Sequence, residues 1–76
     1  MKDLLLAIAK RMVDYPEQVT VKEVDGASTV VLELSVAKQD FGMIIGRKGK
    51  NISAIRTLIS AAGAKQKKRV IIEVVE

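Results

Sequence analysis

Cysteine and histidine are both absent from this 76-residue chain. Without cysteine no disulfide can staple the fold, and without either residue a usual zinc site has no ligands. No apolar run is longer than the six residues 4–9, far short of the roughly 20 that a membrane-spanning helix needs. The N-terminal residues lack a secretory pattern, because Lys10 and Arg11 follow that short stretch at once. Cytoplasm is therefore the expected compartment. Aromatics are limited to Tyr15 and Phe41, and proline to Pro16. The length suits one domain spanning residues 1–76. A domain of that size buries only about 60% of its unfolded surface, which predicts modest stability.

The most telling absence is local. Residues 41–72 contain no acid, yet carry Arg47, Lys48, Lys50, Arg56, Lys65, Lys67, Lys68 and Arg69. All nine acids lie elsewhere, so the formal net charge of +4 conceals a basic half and an acidic remainder. Such separation predicts a polyanion-binding face. It also argues against an enzyme, since paired carboxylates for acid–base work or for a Mg²⁺ site cannot be assembled from an acid-free segment.

Periodicity supplies the architecture. Leu5, Ile8, Ala9, Met12 and Val13 recur at helical spacing and predict a helix over 3–14, stopped by Pro16. Residues 19–24 predict a strand, Asp25-Gly26 a hairpin turn built on left-handed dihedrals, and residues 29–36 a second strand. In that strand Val30, Leu32, Leu34 and Val36 alternate with Val31, Glu33 and Ser35, which implies a sheet covered on one side. A short helix follows over 38–45, with Phe41, Ile44 and Ile45 inward, and another over 50–62. The latter carries Ile52, Ile55, Ile59 and Ala62 as its stripe, with Leu58 beside them and Gly63 as a C-terminal cap. A basic loop over 64–68 leads to a last strand over 69–75. The order α-β-β-α-α-β gives an α+β fold of two layers. A three-stranded mixed sheet packs against three helices, with a right-handed crossover between parallel neighbours.

Between the two central helices stands Gly46-Arg47-Lys48-Gly49. Glycines permit the dihedrals of a tight turn and let a ligand backbone come close. The unpaired amides that open the next helix are donors for phosphate oxygens, and Arg47 and Lys48 add charge. Phosphate contacts of this kind fix position without reading sequence. A nucleotide-triphosphate loop would need GxxxxGK followed by Ser or Thr, and here Asn51 follows Lys50. A dinucleotide loop would need a third glycine and a preceding strand. A turn using glycine for geometry alone would not explain why both central positions are cationic. A DNA-binding helix-turn-helix would place helix 50–62 in a major groove, with few base-reading side chains beyond Asn51, Ser53 and Arg56.

The segment Ile44-Ile45-Gly46-Arg47-Lys48-Gly49-Lys50-Asn51-Ile52 resembles the signature of KH domains, and the element order is similar to that of their type II subclass. Length, N-terminal helix and residues 40–49 together resemble the small bacterial single-KH family, KhpA or YlqC-like. That resemblance implies single-stranded RNA bound in a groove for about four nucleotides. Gly46 to Gly49 would clamp the backbone. Ile45, Lys50, Ile52, Ser53 and Arg56, with Met43 and Ile44, would line one side, and the loop from Lys65 through Lys67 and Lys68, with the strand from Arg69 to Ile71, the other. It implies no metal or cofactor. It further implies a homodimer, or pairing with a larger KH-containing RNA-binding partner. The implied role is that of an RNA chaperone or post-transcriptional regulator, in some bacteria one acting on cell elongation and division. Ile71, Val75 and the surroundings of Phe41 offer apolar material for such pairing. The alternative is a protein-interaction and dimerisation module with weak or vestigial RNA affinity.

Overall fold

The computed structural model describes residues 1–75. Its elements run α1 (Lys2–Met12), β1 (Thr20–Asp25), β2 (Thr29–Ser35), α2 (Phe41–Ile45), α3 (Lys50–Lys65) and β3 (Arg69–Val75). Single 3₁₀ turns at Pro16–Gln18, Lys38–Asp40 and Arg47–Gly49 join them. The predicted α-β-β-α-α-β order and mixed sheet are what the chain forms: β1 pairs antiparallel with β2, and β2 pairs parallel with β3.

Strand alternation decides which sheet face the helices cover. Val30, Leu32 and Leu34 of β2 are almost wholly buried, as is Ile72 of β3. Against them lie Leu5 and Ala9 of α1, Ile44 of α2, and Ile52, Ile55 and Ile59 of α3. Each aliphatic side chain taken fully out of water contributes roughly 1.5–3 kcal/mol. The other sheet face is uncovered. Register puts Val24, Val31 and Ile71 side by side on it, next to a row of Lys22, Glu33 and Glu73. Leu58, expected beside the apolar stripe of α3, lies instead on its outer side and is 57% exposed. Phe41 is half-buried against the core.

Three local readings are corrected by tertiary contacts. Helix α1 stops at Met12, two residues short of its periodicity. The Asp14 and Tyr15 amides donate to the Asp40 carboxylate, at 3.2 and 3.0 Å, rather than continuing the helix. Asp40 is fully buried and ties the exit of α1 to the entry of α2. The hairpin at Asp25-Gly26 exists, but without left-handed residues: Asp25 pairs with Val30 across a four-residue connection, 26–29, in which the Gly26 amide donates to the Thr29 carbonyl at 2.8 Å.

Gly63 does not cap α3. It is buried inside the helix, where a Cβ would stand 2.4 Å from Cγ2 of Val70 and 3.0 Å from the Lys68 carbonyl oxygen. The glycine is there to let α3 and β3 touch. The helix ends two residues further on, at Lys65, with Lys67 in the left-handed region at φ 59°. The Lys68 amide reaches the Gly63 carbonyl and the Lys67 amide the Ala64 carbonyl, both at 3.0 Å, as in a Schellman ending.

Helix propensity alone would have Gly63→Ala stabilise by about 1 kcal/mol. The contact with Val70 reverses the sign, and a loss of about 1–3 kcal/mol is expected, read as a lower urea midpoint at unchanged m. Asp40→Ala strands two backbone donors and should lose about 1–3 kcal/mol in the same measurement.

Candidate nucleic-acid interface

The turn between α2 and α3 takes its shape from two glycines and a lysine. Gly46 ends α2 at φ 77°, with its amide on the Gly42 carbonyl at 2.8 Å. Lys48 and Gly49 follow in the left-handed region, at φ 56° and 75°. The Gly49 amide donates to the Gly46 carbonyl at 3.1 Å and closes the turn. Glycine accepts these dihedrals freely. A lysine there is disfavoured by about 1–2 kcal/mol. The only other non-glycine residue with positive φ among those described is also a lysine, Lys67, at the far end of α3.

Asn51 holds the turn from inside. Its Nδ2 donates to the Met43 carbonyl at 2.8 Å, capping the end of α2 from the first turn of α3. The same side chain fills the space beside Gly46, where a Cβ would lie 2.6 Å from its Cγ. From the sequence Asn51 has no structural role: it stands as a base-reading candidate and as the residue that breaks a triphosphate loop. The usable signal is a side-chain amide two places after the second glycine, within reach of a helix end whose last carbonyls lack donors.

Around this turn Arg47, Lys48, Lys50 and Ser53 are exposed. Lys50 to Ile52 open α3, where the Lys50 amide closes onto the Arg47 carbonyl, the next amides have no acceptor within the helix and the helix dipole is positive. Arg56 reaches across to β3, its Nη2 donating to the Ile72 carbonyl at 3.4 Å. One contact leaves most of its five N–H donors free. Arg56 therefore spans the furrow between α3 and the outer edge of β3, and no enclosed pocket forms among the described residues. Met43 is 41% exposed at the rim and Ile45 is half-buried. Ile44 and Ile52 belong to the core, at 0% and 5% exposure, so they support the furrow from below.

The structure does not bring Lys67, Lys68 and Arg69 to this turn. They follow the C-terminal end of α3, and 15 residue steps from Lys50 to Lys65 span about 22 Å. Lys68 is moreover engaged by Asp25 of the hairpin, Nζ to Oδ1 at 2.6 Å. Apart from Arg56 at mid-helix, the cations of the basic half thus lie in two patches, one at each end of α3. No group of acids able to hold a metal ion occurs among the described residues.

A family model described as "KhpA/KhpB, KH domain" matches residues 2–74. The chain belongs to that family. Its relatives include the RNA-binding protein KhpA of Clostridium acetobutylicum, 49% identical over 99% of this chain and 100% of the relative. The RNA-binding protein KhpA of Chlamydia pneumoniae is 49% identical over 100% of this chain and 97% of its own length. That of Listeria monocytogenes is 40% identical over the whole of both chains. No solved structure matches. KH domains are binding modules rather than catalysts, which agrees with the acid-free half. No helix among the described residues is long and apolar enough to cross a membrane.

The two turn glycines differ in surroundings, and their substitutions separate. A Cβ at Gly49 meets nothing within 4 Å, so Gly49→Ala carries only the left-handed dihedral cost of about 1–2 kcal/mol. Gly46→Ala must also displace Asn51, and thermal unfolding should show it to be the more destabilising by at least about 1 kcal/mol.

Proposed function

We propose that this chain, as one KH module over residues 1–76, binds single-stranded RNA. The Gly46–Gly49 backbone clamps a sugar-phosphate segment, and the furrow between α3 and β3 holds the adjoining bases. The observation that carries this reading is the turn itself. Two glycines open the backbone to close approach, and a strained lysine and an arginine sit between them. They stand at the positive end of a 16-residue helix. RNA-binding relatives at 40–49% identity support it.

Arg47 and Lys48 supply attraction and phosphate contacts, Lys50 and Ser53 donate from the first turn of α3, and Arg56 lies over the furrow. Ile45 presents an apolar edge, and Ile52 supports it from the core. The clamp reads no sequence, because phosphates are alike at every position. A groove for about four nucleotides binds weakly by itself, so useful affinity calls for a second module. Pairing with another copy, or with a larger KH-containing partner, supplies one. The uncovered row Val24, Val31 and Ile71 is apolar surface available for it. Such a binder suits an RNA chaperone or post-transcriptional regulator.

The test is Arg47→Asp with Lys48→Asp, titrated with short single-stranded RNA at several salt concentrations. RNA affinity should fall at least ten-fold, with a shallower salt dependence and an unchanged melting temperature. Duplex DNA should compete poorly throughout. Unchanged RNA binding would reject the clamp and leave the chain as a protein-interaction module.

A further inference from the structure

Lys67 occupies the left-handed position that closes α3, where glycine is the usual residue and the less strained one. Its amide and that of Lys68 are already bonded to helix carbonyls, at 3.0 Å each. The backbone there offers nothing to a ligand, and only side chains do. Lys65, Lys67 and Arg69 are all exposed, and the three have no acidic partner within salt-bridge distance among the described residues. Lys68 differs: its ammonium is held by Asp25. That ion pair fixes the loop to the β1–β2 hairpin, as does the Arg69 amide on the Ser28 carbonyl at 2.9 Å. The loop is therefore held by one lysine and displays its three other cations.

The pattern at the clamp recurs here. Each end of α3 has one strained lysine where glycine would serve the backbone better, with further exposed cations beside it. The geometry points to a second phosphate-backbone site at Lys65, Lys67 and Arg69, separate from the clamp and engaged by the same RNA strand. This rests on the RNA-binding reading above. The two ends of α3 are about 22 Å apart, which at a stacked rise of about 3.4 Å per nucleotide corresponds to roughly six or seven nucleotides. At that stacked spacing a strand that fills only the four-nucleotide groove stops short of the loop. A strand of about a dozen or more can touch both, and its second contact is then intramolecular.

The experiment compares oligouridines of 5 and 15 nucleotides on wild type and on Lys65→Gln with Lys67→Gly and Arg69→Gln. Binding of the 15-mer should weaken at least ten-fold in the triple variant, while the 5-mer changes less than two-fold. The slope of log affinity against log salt for the 15-mer should shrink by about 2, since each lost phosphate contact on a single strand removes about 0.7. The single variant Lys67→Gly should bind the 15-mer more weakly while melting no lower than wild type, a combination that a purely capping lysine would not give. An unchanged 15-mer affinity in the triple variant overturns the second site. An equal loss for both lengths overturns its separation from the groove. Failure of the clamp reading registers elsewhere, as 5-mer binding indifferent to Arg47→Asp with Lys48→Asp.

Discussion

The close approach of α3 to β3 organises this molecule. Gly63 lets the helix backbone touch Val70, and the isoleucines at 52, 55 and 59 seat the rest of the helix on the sheet. A helix so held has fixed ends. Its N-terminal end becomes the clamp turn and its C-terminal end the basic loop. Its flank, with Arg56 bonded to the Ile72 carbonyl, becomes one wall of the furrow. A side chain at position 63 would lift the helix from the strand and move all three.

The second layer of control is polar. Asp40 and Asn51 are small side chains that accept from or donate to backbone groups left over where helices end. Asp40, the residue before α2, anchors that end to the chain leaving α1, and Asn51 fixes where α2 stops relative to α3. Between them a five-residue helix, too short to be stable alone, is held at both ends. Rigidity at the clamp matters because a backbone ligand is gripped by geometry more than by chemistry, and a loose turn would give up entropy on every binding event.

Much of this was legible beforehand. The alternation in β2 and the 3–4 spacing in α3 fixed element types, since burial on one face imposes those periods. The acid-free stretch and the GxxG spacing marked the clamp. Less legible was Gly63, because a glycine near a helix end reads equally as a cap or as a contact, and only the position of Val70 separates the two. Leu58 illustrates the same limit. It is apolar and adjacent to the stripe, yet it falls on the outer side once Ile55 and Ile59 face the sheet.

By itself the sequence determined the elements, their order, the covered sheet face and the turn at Gly46–Gly49, because each is encoded in residues near one another in the chain. Tertiary structure alone decided what the cations face: Arg56 crosses to β3 and Lys68 pairs with Asp25 of the hairpin, while the others stand exposed at the two ends of α3. Charge has no periodicity that reports distance, and residues 47–50 and 65–69 are neighbours in composition only. A straight helix of 16 residues keeps them apart, and its length in space is fixed by the backbone hydrogen bonds within it.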